Sequence, residues 1–581
     1  MRTIQSARRL PNTRRLTIVA QDPSVKLRGR IATTEVEIPA EELAPGPCGY
    51  RVSVIDYDAS TNVLYEKAEY PPSHAGGYGD PYRQTESGSR SRHKAADARL
   101  LSDPRFHAQN VYAIVMRTLA RFEFALGRRV AWGSDGHQLH IAPHAFTDAN
   151  AFYSREDRSI FFGYFFGSTG QPIFTCLSHD IVAHETTHAI LDGLRRRYLE
   201  PSSPDQAAFH EGFADVVALL SVFSLREVVE AMLDLGAARG SKLIDERFLS
   251  REKLKDSVLL GLADEMGEEL SKVRGQALRR SVELPPGKPY MSMPGFDEEH
   301  ERGELIVAAM MNAFLDIWLA RLDKIGTLGS GKKDRSLVVE QGALVADHLL
   351  TMAIRAIDYC PPTDLTFADY LSALLTIDHE VVPDDGKFGY REALLRNFKA
   401  YDIKPASGTD EKGVWKRFDQ PMVHSRSHFD SLLRDKEEVF RFIWENRTAL
   451  QIHKDGYVEV QSVRPSIRIG PDGFVLREAV AEYVEILTLT AGELPAALGI
   501  TPPPGIPKWR RIRIFGGGAL IFDEYGQLKY QISNRIQDVA RQEARLKYLA
   551  KVGFFDQPPP PPPPPQSQSR FALVHLSRAT S

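Results

Sequence analysis

His184-Glu185-Thr186-Thr187-His188 lies inside the apolar run DIVAHETTHAILDGL, residues 180–194. A run with this pattern predicts a helix. Two imidazoles four residues apart then share one face, a turn from each other. Both can reach a single Zn2+ at about 2.0–2.1 Å. Glu185 sits beside His184, where it can meet a water on the ion without being a ligand.

A third ligand is sought downstream, in SPDQAAFHEGFADVVALL. Ser203 with Gln206 reads as a capping box, and Pro204 takes the first helical position. Phe209, Phe213, Val216, Val217 and Leu220 form an apolar stripe at helical spacing. Glu211 and Asp215 are four apart and share a face. Glu211 can complete a site with one open position, as catalytic zinc requires. Asp215 can accept the remaining N–H of a ligating imidazole and fix its tautomer. His210 is a rival third ligand, but it points about 100° away from Glu211, so one of the two serves and not both. A metzincin pattern is excluded, because Leu191 and Leu194 stand where it needs Gly and His.

The stretch Asp180-Ile-Val-Ala-His184-Glu185-Thr-Thr-His188-Ala-Ile-Leu-Asp192 resembles the active-site helix of the thermolysin-like metallopeptidases, D-x-x-x-H-E-x-T-H-A-x-x-D. HEGFAD resembles that family's N-E-x-x-S-D helix, with His210 in place of Asn and Ala214 in place of Ser. The resemblance implies zinc on His184, His188 and Glu211, with Asp215 behind a ligand and Glu185 as general base. Asn150-Ala151-Phe152-Tyr153 resembles the family's edge strand, which implies substrate binding by Asn150 and Ala151. A sheet edge suits an extended peptide. Gly275-Gln-Ala-Leu-Arg279 resembles a segment whose Arg binds a substrate carbonyl, with Arg280 as a rival to Arg279.

His300, at the entrance of a long apolar helix from Gly303 onward, resembles the family's oxyanion-stabilising His. The spacing departs from the family's, and Arg302 stands where Asn is usual. Asp297, Glu298 or Glu299 would orient His300. The resemblance implies Tyr198 as a second donor. Asp180 matches a calcium-binding position, but the acidic ligands expected after the Glu211 helix are missing, which speaks against calcium. The likeness covers roughly residues 106–314, with a helical continuation to 401.

The 581 residues leave room for three or four domains. Apolar content of 43% and charged content of 26% describe an ordinary globular protein. A net charge of −3 gives no reason to expect nucleic acid. No apolar run reaches a bilayer-spanning length, so no membrane is expected. The N-terminal stretch has five Arg before Asp22 and no apolar signal core. Three Cys (Cys48, Cys176, Cys360) are odd in number and not at zinc spacing. A reducing, cytoplasmic location is expected. This departs from the family's familiar secreted members.

The expected class is α+β: a β-rich N-terminal half, an α-helical half with the zinc site at their junction, and a small α+β C-terminal accessory domain. The boundaries read as 1–75 (β-rich), 76–105 (loop or linker), 106–405 (catalytic core), 420–552 (accessory) and 553–581 (proline-rich tail). Within them, helices are expected at 106–128, 346–359, 367–378 (capped by Thr366) and 537–549. A strand is expected at 457–469, and a hairpin over 511–532. Eight consecutive prolines, from Pro558 to Pro565, favour polyproline II, a stiff spacer or a ligand for a polyproline-binding partner.

The expected activity is zinc-dependent endopeptidase action on peptides or proteins. The absence of a Gly-x-Met-Glu-Asn segment argues against an aminopeptidase. The rival is a catalytically silent zinc-containing binding or scaffold protein.

Overall fold

The computed structural model describes residues 12–23, 26–27, 30–70, 79–83, 90–133, 136–167, 170–236, 241–261, 276–327, 331–386, 388–424, 428–470 and 473–556. The proline run and Gly275 lie outside them, as does the side chain of Arg279. The fold is α+β.

The N-terminal half carries a ladder of Thr13–Val19 against Thr33–Pro39 and a five-stranded mixed sheet. In that sheet Ser159–Phe166 runs parallel to Leu139–Thr147, which runs parallel to Val52–Val54. Ala151–Ser154 pairs with Ser159–Phe166 alone among the described strands, so it forms a sheet edge. Helix Pro104–Leu126 packs under this half, capped by Asp103 and ended by Gly127 in a left-handed conformation. The stretch expected as a linker closes in a helix, Arg90–Ser102. Charge and small polar residues at 76–94 had hidden that helix.

The α-helical half is built on His179–Leu194, Pro204–Phe223, Glu299–Lys324, Arg335–Ala356, Phe367–Val381 and Tyr390–Ala400. Ser203 caps its helix as expected, accepting from Gln206 N at 3.0 Å. The Gln206 side chain does not close a capping box. It donates to the carbonyls of Arg197 and Glu200 and so braces the preceding turn. At Thr366 the box is complete, with Asp369 as the reciprocal partner. Pro204–Phe223 and Glu299–Lys324 approach closely at two glycines. A Cβ on Gly212 would stand 2.6 Å from Gly303 O. That contact brings the turn holding Glu211 against the first turns of the His300 helix.

Glu299–Lys324 and residues 335–359 are long and apolar enough to cross a membrane by length and composition. This corrects the expectation that no run reaches such length. The windows are 83% and 61% buried inside the protein, as in core helices.

The C-terminal strands Tyr457–Ile469, Val475–Thr490, Arg511–Asp523 and Leu528–Asn534 form a four-stranded antiparallel sheet in sequence order. Its two faces alternate along the strands. Val480, Ile521 and Tyr530 join the main core, while Ala479, Ala481, Leu520 and Phe522 pack with Val439 and Phe442 of helix Lys436–Glu445. Coverage on both faces explains the nearly unbroken burial from Ala479 to Leu487.

Candidate metal centre

The His184 helix is buried from Ile181 to Leu194. Thr186 and Thr187 return their hydroxyls to the carbonyls of Val182 and Ala183, so neither competes for the site. His184 and His188 meet edge to face one turn apart, ring centroids 4.5 Å apart and planes at 89°. Across from them the Glu211 carboxylate divides its oxygens. Oε2 lies 3.5 Å from His184 Nε2, and Oε1 lies 3.5 Å from His188 Nε2. Two ligand atoms on one tetrahedral zinc stand about 3.3 Å apart. The spacing and the two-nitrogen, one-carboxylate donor set therefore fit zinc.

Each imidazole is held from behind. Asp215 Oδ1 lies 2.7 Å from His184 Nδ1. His210 Nδ1 lies 3.1 Å from His188 Nδ1. His210 thus sits behind His188, while Glu211 is the acid grouped with both rings. A supporting partner fixes the tautomer and raises the basicity of the ligating nitrogen. Asp215→Ala is expected to weaken zinc binding about 10–100-fold, read by competition with a chelator. Unchanged affinity would contradict this role.

Glu185 is fully buried, and its Oε2 accepts the Tyr153 backbone N–H at 3.1 Å. This contact brings the edge strand to the site. Alternation along the strand turns the backbone of Ala151 to the same side as that of Tyr153. Asn150 Oδ1 accepts from Ala151 N at 2.9 Å. The helix and the edge strand are clamped a second time by buried Asp192, which accepts from the Tyr153 hydroxyl at 2.9 Å and from Arg155 Nε at 2.7 Å. Sequence reading assigned Asp192 no role. Its only local signal was its place closing the D-x-x-x-H-E-x-T-H-A-x-x-D pattern.

His300 is buried at the start of its helix, and its Nε2 has no hydrogen-bond partner among the described residues. Of the three candidate orienting acids, Glu298 does the work: its Oε1 lies 2.9 Å from His300 Nδ1, and its Oε2 caps the helix. Burial opposes the Glu298 charge. The hydrogen bonds and the His300 ring outweigh it and hold the carboxyl below its ordinary value. Asp297 pairs instead with Lys551 at 3.0 Å. Arg302 ties this helix to Asp205, in the first turn of the Glu211 helix, by a buried ion pair of 2.5 Å.

Arg280 pairs with buried Glu304 through Nε at 2.8 Å and so joins helix Gln276–Glu283 to helix Glu299–Lys324. The Tyr198 hydroxyl donates to Pro361 O at 2.7 Å and is committed there. Asp180 accepts from the Ser178 hydroxyl in the first turn of the His184 helix. Comparison with protein-family models and with curated proteins finds no match for this chain.

Proposed function

We propose that this chain is a zinc-dependent peptide hydrolase of the thermolysin-like kind, acting on internal bonds of peptides or proteins. One arrangement carries the reading: two imidazole nitrogens each 3.5 Å from a different oxygen of Glu211, with Glu185 on the same helix beneath an edge-strand N–H. His184, His188 and Glu211 would hold the ion, with Asp215 and His210 fixing the two rings. Zinc supplies Lewis acidity toward water and toward a carbonyl oxygen. Glu185 takes the proton from the attacking water and returns it to the leaving amine. The edge at Asn150 and Ala151 aligns an extended substrate by backbone pairing. His300, held by Glu298 with Nε2 to give, donates to the developing oxyanion, a role that contributes about 2.7–4 kcal/mol where it has been dissected.

Purified protein loaded with zinc is expected to cut casein and peptides blocked at both ends. Cleavage confined to unblocked ends would make it an exopeptidase. The second reading is a silent zinc-holding scaffold. Burial of Glu185 favours it, since a peptide reaches that carboxylate only when the covering elements part. Complete zinc occupancy without cleavage of any peptide library would establish the scaffold reading instead.

A further inference from the structure

Away from Glu211, three more side chains with metal-binding atoms converge. His107 comes from helix Pro104–Leu126, His144 from strand Leu139–Thr147, and Cys176 from the 3-10 turn Thr175–Leu177. All three are buried, and one donor atom from each lies within 4.8 Å of the others. His107 Nδ1 and His144 Nε2 face each other at 2.7 Å.

The far side of each ring decides what those facing nitrogens carry. His107 Nε2 lies 3.1 Å from Leu101 O, which can only accept, so Nε2 bears the hydrogen and Nδ1 presents a lone pair. His144 Nδ1 lies 2.9 Å from both oxygens of Asp56, which draws a hydrogen to Nδ1, so that the neutral ring presents a lone pair at Nε2. Two lone pairs at hydrogen-bond distance repel, so with both rings neutral the pair calls for a cation, either a shared proton or a metal ion, to join them. A carboxylate behind one imidazole and a carbonyl behind the other is how ligating histidines are held. The rings of Phe174 and Tyr65 close the surroundings, with centroids 4.7 Å from His107 and 4.9 Å from His144.

We propose that His107, His144 and Cys176 form a second zinc site. Two imidazoles and a thiolate suit zinc and disfavour calcium or magnesium, which take oxygen ligands. Binding displaces the Cys176 thiol proton to solvent and leaves both imidazoles neutral. The two facing nitrogens must part by about 0.6 Å to share a tetrahedral ion. The ion would pin a helix and a sheet strand to the turn that enters the His184 helix. With three protein ligands the fourth position would fall to water, and this site stands apart from the peptide-hydrolase reading.

Cobalt titration of the whole metal-stripped protein tests it. Cobalt on a thiolate gives a sulfur-to-metal charge-transfer band in the near ultraviolet. The Glu211 site has no sulfur, so it cannot produce that band. The wild type is expected to develop the band, saturating by two equivalents as both sites fill, and to lose it as zinc is added. His188→Gln is expected to keep it, and Cys176→Ser to lose it. Cys48→Ser/Cys360→Ala, which retains Cys176 alone among the thiols, is expected to keep it even should the Cys176 variant fail to fold. No band in the wild type at excess cobalt, or a band that survives in folded Cys176→Ser, would overturn the proposal and leave a proton-bridged histidine pair.

Discussion

Glu185→Gln is expected to bind zinc as the wild type does and to hydrolyse no peptide measurably. The carboxylate is absent from the three-donor group of His184, His188 and Glu211, so its replacement leaves the ligands in place. The amide oxygen of Gln can still accept the Tyr153 N–H that Glu185 accepts at 3.1 Å, so the edge strand stays where it is. What the amide lacks is basicity. Positioned acid–base catalysis contributes about 10²–10⁴-fold, and that much at least is forfeited. Metal analysis and turnover of a blocked peptide, measured on one preparation, check both halves. Wild-type turnover by this variant would remove Glu185 from the mechanism.

Asp358→Asn is expected to destabilise the fold by about 3–5 kcal/mol. Asp358 is fully buried between two guanidinium groups. Arg128 grips it with two hydrogen bonds of 2.6 Å, and Arg468 of the C-terminal sheet pairs with it from the other side. Arg468 also pairs with Glu478 at 2.6 Å, which Lys529 and the Tyr359 hydroxyl approach in turn. The network joins the α-helical half to the sheet. Removing its central charge strands buried cations, which costs far more than an exposed pair is worth. Replacing Asp358, Arg128 and Arg468 together by apolar residues of similar volume is expected to cost much less. Urea unfolding midpoints distinguish the two cases.

The same carboxylate sets an acid limit. Burial opposes its charge, but Arg128 and Arg468 outweigh burial and hold it below its ordinary value of 3.8. Its contribution is therefore complete above that value and is lost as pH falls through the lower folded value. The Asp358→Asn variant is expected to lack this part of the acid dependence.

Local pattern made much of this legible in the sequence. The strand Tyr457–Ile469 and the Thr366 cap follow from alternation and from a cap three residues before an acid. His184, His188, Glu211 and Asp215 were visible because a helix repeats its face every three or four residues. What stayed hidden depends on long-range approach. Asp192 meets Arg155 across 37 residues, and Asp358 meets Arg128 across 230. His107, His144 and Cys176 come from a helix, a strand and a turn, so no spacing rule could join them. Two adjacent residues were also hard to separate. His210 differs from Glu211 by one helical step, and only packing against His188 shows which of them supports and which faces both rings.

An anomalous-difference map at the zinc edge, from crystals of the zinc-loaded protein, addresses the central claim directly. The account predicts a peak within about 2.0–2.2 Å of His184 Nε2, His188 Nε2 and a Glu211 oxygen. A fully loaded crystal with no peak there, or with the Glu211 carboxylate turned away from the ion, would contradict it.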